Sequence, residues 1–458
     1  MLWSCLPIKT YPSEALDRLW KKLLINQFHD IIPGSSINLV YQSTYREYEE
    51  IHKTCDSLIF QAGRSLFEND PVSFVLANTL SYPWQGVIHV PDSFHGHSIE
   101  NEDGQTIPIQ KLDSAMVAFV ELDPLSFTTF KKGDPLQKEL EKGKTLILEN
   151  ELIRYEFDDR GQTISAFDKE TDMEVLKGPG NVLSLYEDRP NDWDAWDIDF
   201  YYRDALIETA SATEAIPGSS GDVTKELELI LNIGNSEIRQ VVSLNPCSKR
   251  LDFFTTVEWR EKHKMLRVHF PVSVRSEQAT FDIQYGYVKR NTHRNTTWDK
   301  AKFEVVGHKF ADLSDHDYGV ALMNDCKYGY MVHDNILDLN LLRSSNNPDP
   351  DADQGTHKFS YSLFPHRNDL IRSDLLAESA CFNHRPVLFE GARSETRIPI
   401  GLNGDGLELS VLKKAEKEDL WIIRIIERAG RGSAGFLEMK GTLTECDLME
   451  WNNVDTPV

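Results

Sequence analysis

Three short segments of this 458-residue chain carry side chains suited to binding or transforming a polar ligand. The first is Asn26-Gln27-Phe28-His29-Asp30-Ile31-Ile32-Pro33-Gly34-Ser35-Ser36. A neutral imidazole at His29 could ligate a metal, and the Asp30 carboxylate could take a sugar hydroxyl. A histidine near a helix C-terminus is also favoured simply as a cation facing the helix dipole, and one histidine does not make a metal site. The second segment is Trp193-Asp194-Ala195-Trp196-Asp197. Its indoles offer flat apolar faces for the C–H edges of a sugar and its carboxylates accept bonds from hydroxyls, although a buried tryptophan pair in a core has the same spelling. The third is Asp349-Pro350-Asp351-Ala352-Asp353-Gln354-Gly355, whose alternate carboxylates resemble a calcium loop. Its glycine comes one position late and Ser360 stands where a bidentate Glu is required, so EF-hand geometry cannot close and a solvated turn is expected. Gly430-Arg431-Gly432-Ser433-Ala434-Gly435 spells GxGxxG after a strand-like Trp421 to Ile426. No helical stripe follows to face a pyrophosphate, so it reads as a glycine-rich hairpin.

The elements that must position these residues change character along the chain. Pro12-Ser13-Glu14 opens a helix in which Leu16, Leu19, Trp20, Leu23, Leu24 and Phe28 recur at helical spacing until Pro33-Gly34, which puts His29 and Asp30 in its last turn. Ser35 or Ser36 can cap a second helix whose apolar stripe runs from Val40 to Leu66, ending at Glu68-Asn69-Asp70-Pro71. From Ser73 onward, short runs rich in Val, Ile, Phe, Tyr and Thr are broken every eight to twelve residues by Asp, Asn, Gly and Pro. Leu152-Ile153-Arg154-Tyr155-Glu156-Phe157 and Thr163-Ile164-Ser165-Ala166-Phe167 are joined by Asp158-Asp159-Arg160-Gly161, a hairpin turn. Lys131 to Lys144 reads as a linker. The expected fold class is mainly β: a short N-terminal helical-bundle segment followed by small and large antiparallel β-sandwich domains. The expected divisions are 1–70 (helical), 71–140 (small β), 141–395 (large β-sandwich) and 396–458 (C-terminal β).

Composition narrows the partners. Against 49 Lys and Arg stand 73 Asp and Glu, a formal charge of -24 that repels phosphate backbones and anionic lipids, so nucleic acid is excluded as an expected partner. No run approaches the roughly 18 apolar residues of a membrane span, and no membrane association is expected. The six cysteines form no CxxC pair, and Met1 to Pro7 lacks a basic n-region, so a cytoplasmic location is expected.

The Gln27-Phe28-His29-Asp30 segment with Gly34 resembles the QFHD block of the glycoside hydrolase family 38 α-mannosidases of cytosolic and bacterial type. The resemblance continues through Glu187-Asp188-Arg189-Pro190-Asn191-Asp192-Trp193-Asp194-Ala195-Trp196-Asp197-Ile198 and Thr292-His293-Arg294-Asn295-Thr296-Thr297-Trp298-Asp299. It extends to Leu341-Leu342-Arg343 and Asp353-Gln354-Gly355-Thr356-His357. It implies that His29 is a ligand of a zinc or cobalt ion completed by residues from elsewhere, and that Asp30 bonds a hydroxyl of bound mannose. It further implies that the Trp193, Asp194, Trp196, Asp197 loop contacts substrate. Arg343 and Asp353 are candidates on a second such loop, with a structural ion pair an equal reading for the arginine. The family's His-x-Asp motif, nucleophile and acid catalyst belong to an N-terminal domain with no counterpart here, and the ending at Asp455-Thr456-Pro457-Val458 reads as short of a closing β segment. No catalytic residue is therefore assigned to this chain. The resemblance implies the C-terminal half of a retaining α-mannosidase acting on mannose-containing oligosaccharides, inactive without its N-terminal catalytic half. The competing expectation is a non-catalytic carbohydrate-binding β-sandwich protein.

Overall fold

The computed structural model describes residues 1–113, 115–393 and 398–450. It is mainly β with antiparallel sheets behind a helical N-terminal segment. Helix α1 spans Ser13–Asn26 and α2 spans Asn38–Leu66. The first ends earlier than its apolar stripe predicts, and His29 and Asp30 lie in the turn beyond it rather than in its last turn. Asn26 causes this: its side-chain amide bonds the Lys22 carbonyl at 2.9 Å and Glu47 of α2 at 2.6 Å, while Gln27 and Phe28 donate to Leu24 and Ile25 in tightened i→i−3 bonds. Neither Ser35 nor Ser36 caps α2. The Ser36 N–H donates to the Tyr41 hydroxyl at 2.9 Å and the Ser35 hydroxyl reaches back to the Asp30 carbonyl at 3.5 Å, so both serines fold the turn onto itself.

Two large sheets follow. A six-stranded sheet contains Val182–Glu187, Lys264–Pro271 and Ile336–Arg343 as neighbours, and a nine-stranded sheet contains Lys225–Ile233, Ser236–Leu244, Leu251–Trp259 and Gly355–Arg367 in that spatial order. Period-two alternation sends Leu227, Leu229 and Leu231 of one sheet and Val268, Phe270, Leu337 and Leu339 of the other into one core. The hairpin Ile153–Phe157 with Thr163–Asp168 forms as expected, its turn closed by a Gly161 N–H to Asp158 carbonyl bond with Gly161 at φ +80°.

The chain weaves between regions more than the sequence divisions suggest. Ser126–Pro135 is a strand, so Lys131 and Lys132 pair with Glu100 and Ile99 instead of opening a linker. Val387–Glu390, placed by the sequence reading in the large domain, pairs with Ser73–Asn78 of the small one. This follows from sidedness: Phe74 and Leu76 face the small domain's own core while Val75 and Ala77 face a second core with Leu66, Phe389, Ile400 and Leu409. The strand is thus buried on both faces and needs cover from distant sequence. The Gly430–Gly435 segment is no hairpin; it connects Trp421–Glu427, paired with Leu407–Lys414, to Gly435–Met439, paired with Ile400–Gly404. Asp455–Val458 lie outside the described residues.

Candidate functional site

Register explains why the candidate loops meet. Glu187 pairs with Lys264 and Arg343 with Met265, so strands Val182–Glu187 and Ile336–Arg343 end side by side on either flank of the same central strand. Their following loops, 188–199 and 344–354, therefore leave from one end of the sheet. Residues 260–263, which carry the chain from the nine-stranded to the six-stranded sheet, lie between them: the Asp188 N–H bonds the His263 carbonyl at 2.8 Å and the His263 N–H bonds the Ser344 carbonyl at 2.7 Å.

Side chains then lock the two loops together. Arg343 Nε donates to Asp188 at 2.5 Å, and its Nη groups reach the carbonyls of Asp194 (2.8 Å), Ala195 (3.4 Å) and Asp197. The planar guanidinium suits this task, since its fixed fork can span a carboxylate and several carbonyls at once. Asp188 is 1% exposed, and burial raises its pKa above the ordinary carboxylate range even with Arg343 beside it. Reciprocally, Asp194 accepts from the backbone N–H groups of Asn346 (2.7 Å) and Asn347 (3.0 Å), and His263 Nδ1 stands 3.4 Å from its other oxygen.

Held this way, the loop turns its tryptophans outward. Trp193 adopts φ +59°, a left-handed conformation uncommon for a bulky residue, and its carbonyl accepts the N–H groups of Trp196 (2.7 Å) and Asp197 (2.9 Å). The indoles are 76% and 59% exposed and, with Asp197, line a recess of about 530 Å³. A core pair is thereby ruled out. The Trp196 ring lies edge-on to His29, centroids 6.5 Å apart, and the Phe28 ring packs against the imidazole with centroids 4.2 Å apart. His29 is 69% exposed, its Nε2 3.5 Å from Asp30. The turn carrying both is held by Tyr41, whose hydroxyl accepts from Ser36 and sits 3.3 Å from the Ile31 carbonyl, and by Gly34 at φ +82°.

The loop 344–354 closes against α2. Asp349 is 4% exposed and accepts from Asn38 at 3.2 and 3.3 Å, so it is not the solvated turn residue its sequence suggests. Asp353, at φ +56°, is solvent-exposed and within electrostatic reach of Tyr41 and Tyr45 on the same helix; desolvation by the surrounding protein raises its pKa, Asp349 adds to the rise, and His357, Lys327 and Arg343 oppose it. Burial, with the charges of Asp353 and Asp349 adding to it, also raises the pKa of Tyr41.

The structure thus brings His29 against Trp196, which shares its recess with Trp193 and Asp197; Asp30 is His29's neighbour in the turn. Asp194 and Arg343 are turned into the lock between the loops. Asp353 stands on the α2 side. Asp188, His263, Asn38 and Tyr41 also hold the arrangement; in the sequence Asp188 lies in the family-like block 187–198 and Tyr41 in the apolar stripe, while His263 and Asn38 carry no signal. Among the described residues no group of three or more His, Cys, Asp or Glu side chains could hold a metal ion, so His29 offers one exposed nitrogen donor of the kind zinc or cobalt takes, with further ligands needed from outside these residues.

Residues 148–351 match the model of the glycosyl hydrolases family 38 C-terminal domain, and residues 2–66 match that of the α-mannosidase middle domain. The chain belongs to glycoside hydrolase family 38. Its family relatives include human α-mannosidase 2C1, 32% identical over 456 residues covering 96% of this chain and 43% of the relative. Similar too are α-mannosidase G of Dictyostelium discoideum (31% over 483 residues, 92% and 44%) and an α-mannosidase of Saccharomyces cerevisiae (32% over 425 residues, 89% and 36%). The chain therefore spans less than half the length of these family members. The same fold occurs in an α-mannosidase from Enterococcus faecalis, with a TM-score of 0.80 at 18% identity over 97% of this chain and 61% of that one. Both segments that meet at the recess fall in matched family domains: His29 and Asp30 in the middle domain, the 188–199 loop and Arg343 in the C-terminal domain.

Proposed function

We propose that this chain is the C-terminal portion of a metal-dependent retaining α-mannosidase that removes terminal α-mannosyl residues from oligosaccharides, and that it is inactive alone. The meeting of His29, from one family domain, with Trp196 of another, whose recess also has Trp193 and Asp197 in its wall, carries the reading. Trp193 and Trp196 present their faces to the apolar edges of the sugar, while Asp30 and Asp197 accept hydrogen bonds from its hydroxyls. The His29 imidazole gives one lone pair to a zinc or cobalt ion. When bound, such an ion supplies Lewis-acid binding of sugar hydroxyls and holds the ring toward an oxocarbenium-like state. Arg343 and Asp194 position the tryptophan loop, and Asp353 flanks it on the α2 side.

Retention requires two carboxyl groups about 5 to 5.5 Å apart, one as nucleophile and one as acid then base. In this reading that pair comes from the part of the relatives this chain does not span. The six free cysteines fit a reducing, cytoplasmic setting. Among the described residues, no helix is long and apolar enough to cross a membrane. The test is hydrolysis of a chromogenic α-mannoside, with zinc or cobalt supplied, by this chain alone and mixed with a separately expressed N-terminal segment of a relative. Turnover in the mixture only is expected. Turnover by the chain alone contradicts its inactivity, and a silent mixture that still binds mannose favours a carbohydrate-binding protein instead.

A further inference from the structure

Away from the recess, the outward face of the nine-stranded sheet carries a groove that the proposed reaction does not use. It consists of a hollow of about 470 Å³ and an adjoining one of about 630 Å³ that share Val241, Phe254, Asp325 and Ser360 in their walls. Strand alternation produces it: Leu227, Val242 and Phe253 face the core, which leaves Glu226, Val241 and Phe254 on the opposite face. The far wall is the three-stranded sheet of the small domain, at Gly86, His89 and Val117.

Two buried polar clamps fix the width of the groove. On one side Gln110 of the small domain donates to the Ser219 hydroxyl (2.8 Å) and the Thr224 carbonyl (2.9 Å) and accepts the N–H groups of Val223 and Thr224 at 2.9 Å. On the other, Arg250 joins Asp252 of the sheet (2.8 Å) to Glu378 (2.6 Å), which also accepts from Gln85 of the small domain at 3.2 Å. A cleft held open in this way requires little reorganisation to bind.

The lining selects the ligand. Once Arg250 with Asp252 and Arg239 with its partner Glu237 (2.7 Å) are set aside as pairs, Glu226, Glu228 and Asp325 face Lys358 and Arg385, three against two and so near balance on a chain of charge -24. Such balance matches an uncharged ligand rather than a polyanion or a polycation. Phe254, with the Arg385 guanidinium 5.9 Å from its ring centroid, gives an aromatic surface, and around it lie Asn245, Ser243, whose hydroxyl is shared with Thr224, and Asn383, whose amide nitrogen donates to the Asn324 and Ser379 carbonyls and leaves its oxygen as an acceptor. Glu226 has neither a hydrogen bond nor an ion pair among the described residues, and burial raises its pKa to about 7, with Glu228 and Asp113 adding. Hydroxyl groups of a ligand would satisfy it without bringing charge.

We propose that this groove is a second, non-catalytic site that binds an arm of a neutral oligosaccharide along the strands, stacked on Phe254 and hydrogen-bonded by Glu226. The neutral-glycan class stands on the groove alone; the choice of mannose rests on the proposed function. The probe is α-linked mannotriose, titrated calorimetrically into the full chain and into Phe254→Ala, Glu226→Gln and Trp196→Ala, each first checked for an unchanged melting profile at pH 5. Binding that survives Trp196→Ala and weakens about tenfold in both Phe254→Ala and Glu226→Gln is expected. Binding lost in Trp196→Ala but kept in the two groove variants overturns the groove and leaves the mannosidase reading intact. No binding to any form overturns it as well. Loss of mannoside hydrolysis in the mixture, with groove binding retained, would overturn the mannosidase reading alone.

Discussion

At the scale of single residues, Arg343 and Trp196 do different work although both were candidates for touching sugar. The Arg343 guanidinium is committed to Asp188 and three carbonyls, whereas the Trp196 indole is 59% exposed and lies edge-on to His29. Arg343→Ala leaves the Asp188 carboxyl 1% exposed and without its guanidinium partner, and is expected to cost about 3 kcal/mol in urea unfolding. Adding Asp188→Asn restores part of that loss, because a buried amide needs no counter-charge. Trp196→Ala changes stability by less than about 0.5 kcal/mol, as exposed substitutions usually do. A loss under about 1 kcal/mol for Arg343→Ala would contradict the lock. The sequence showed that an arginine sits near an acidic turn but not which carboxylate it meets, since Asp188 lies 155 positions away. Glu226 gives a pH signature. Its folded pKa of about 7 exceeds the ordinary 4.5, so the folded state binds more protons between those values and stability falls as pH rises through that window. Glu226→Gln is expected to stabilise by up to about 3 kcal/mol at pH 8 and by much less at pH 5. Equal gains at both pH values would remove Glu226 as the cause.

At the scale of elements, the turn between α1 and α2 decides where His29 points. Pro33 and Gly34 correctly mark a stop in the sequence. The helix ends seven residues before Pro33, however, because Asn26 turns its side chain to Lys22 and to Glu47 on the other helix. A local pattern cannot show the second of those partners. Tyr41 reads in the sequence as part of an apolar stripe, yet its hydroxyl ties the turn at Ser36 and Ile31. Tyr41→Phe keeps the ring and removes the tie, and is expected to cost about 1 kcal/mol. It should also speed amide hydrogen exchange at Ser36, while exchange at Leu24, within α1, is unchanged. Unchanged exchange at Ser36 would show that the backbone holds the turn without Tyr41. Strands were the more legible elements. The Ile153–Phe157 and Thr163–Asp168 hairpin is local and alternates cleanly, whereas the pairing of Val387–Glu390 with Ser73–Asn78 joins segments some 300 residues apart and has no local signal.

At the scale of the whole molecule, α1 and its following turn keep much of their apolar stripe out of any core: Trp20, Leu24, Ile25, Phe28 and Ile32 are each more than half exposed, and of the stripe Leu19 alone is buried. The purified chain is therefore expected to self-associate as its concentration rises, and Trp20→Lys with Leu24→Lys to shift sedimentation toward monomer. A wild-type chain that stays monomeric at high concentration would contradict this. The mainly antiparallel β character and the two helices followed from composition and periodicity. The meeting of His29 with Trp196, 167 positions apart, depended on sheet register, which only the fold supplies. The central claim is that His29 completes a metal site on which α-mannoside hydrolysis depends. Its most direct test measures bound zinc or cobalt and chromogenic α-mannoside turnover together, in the mixture of this chain with the N-terminal segment of a relative, for wild type and His29→Ala. The account predicts that His29→Ala loses metal and turnover together while the two pieces still associate. Wild-type metal content and turnover in His29→Ala would contradict it.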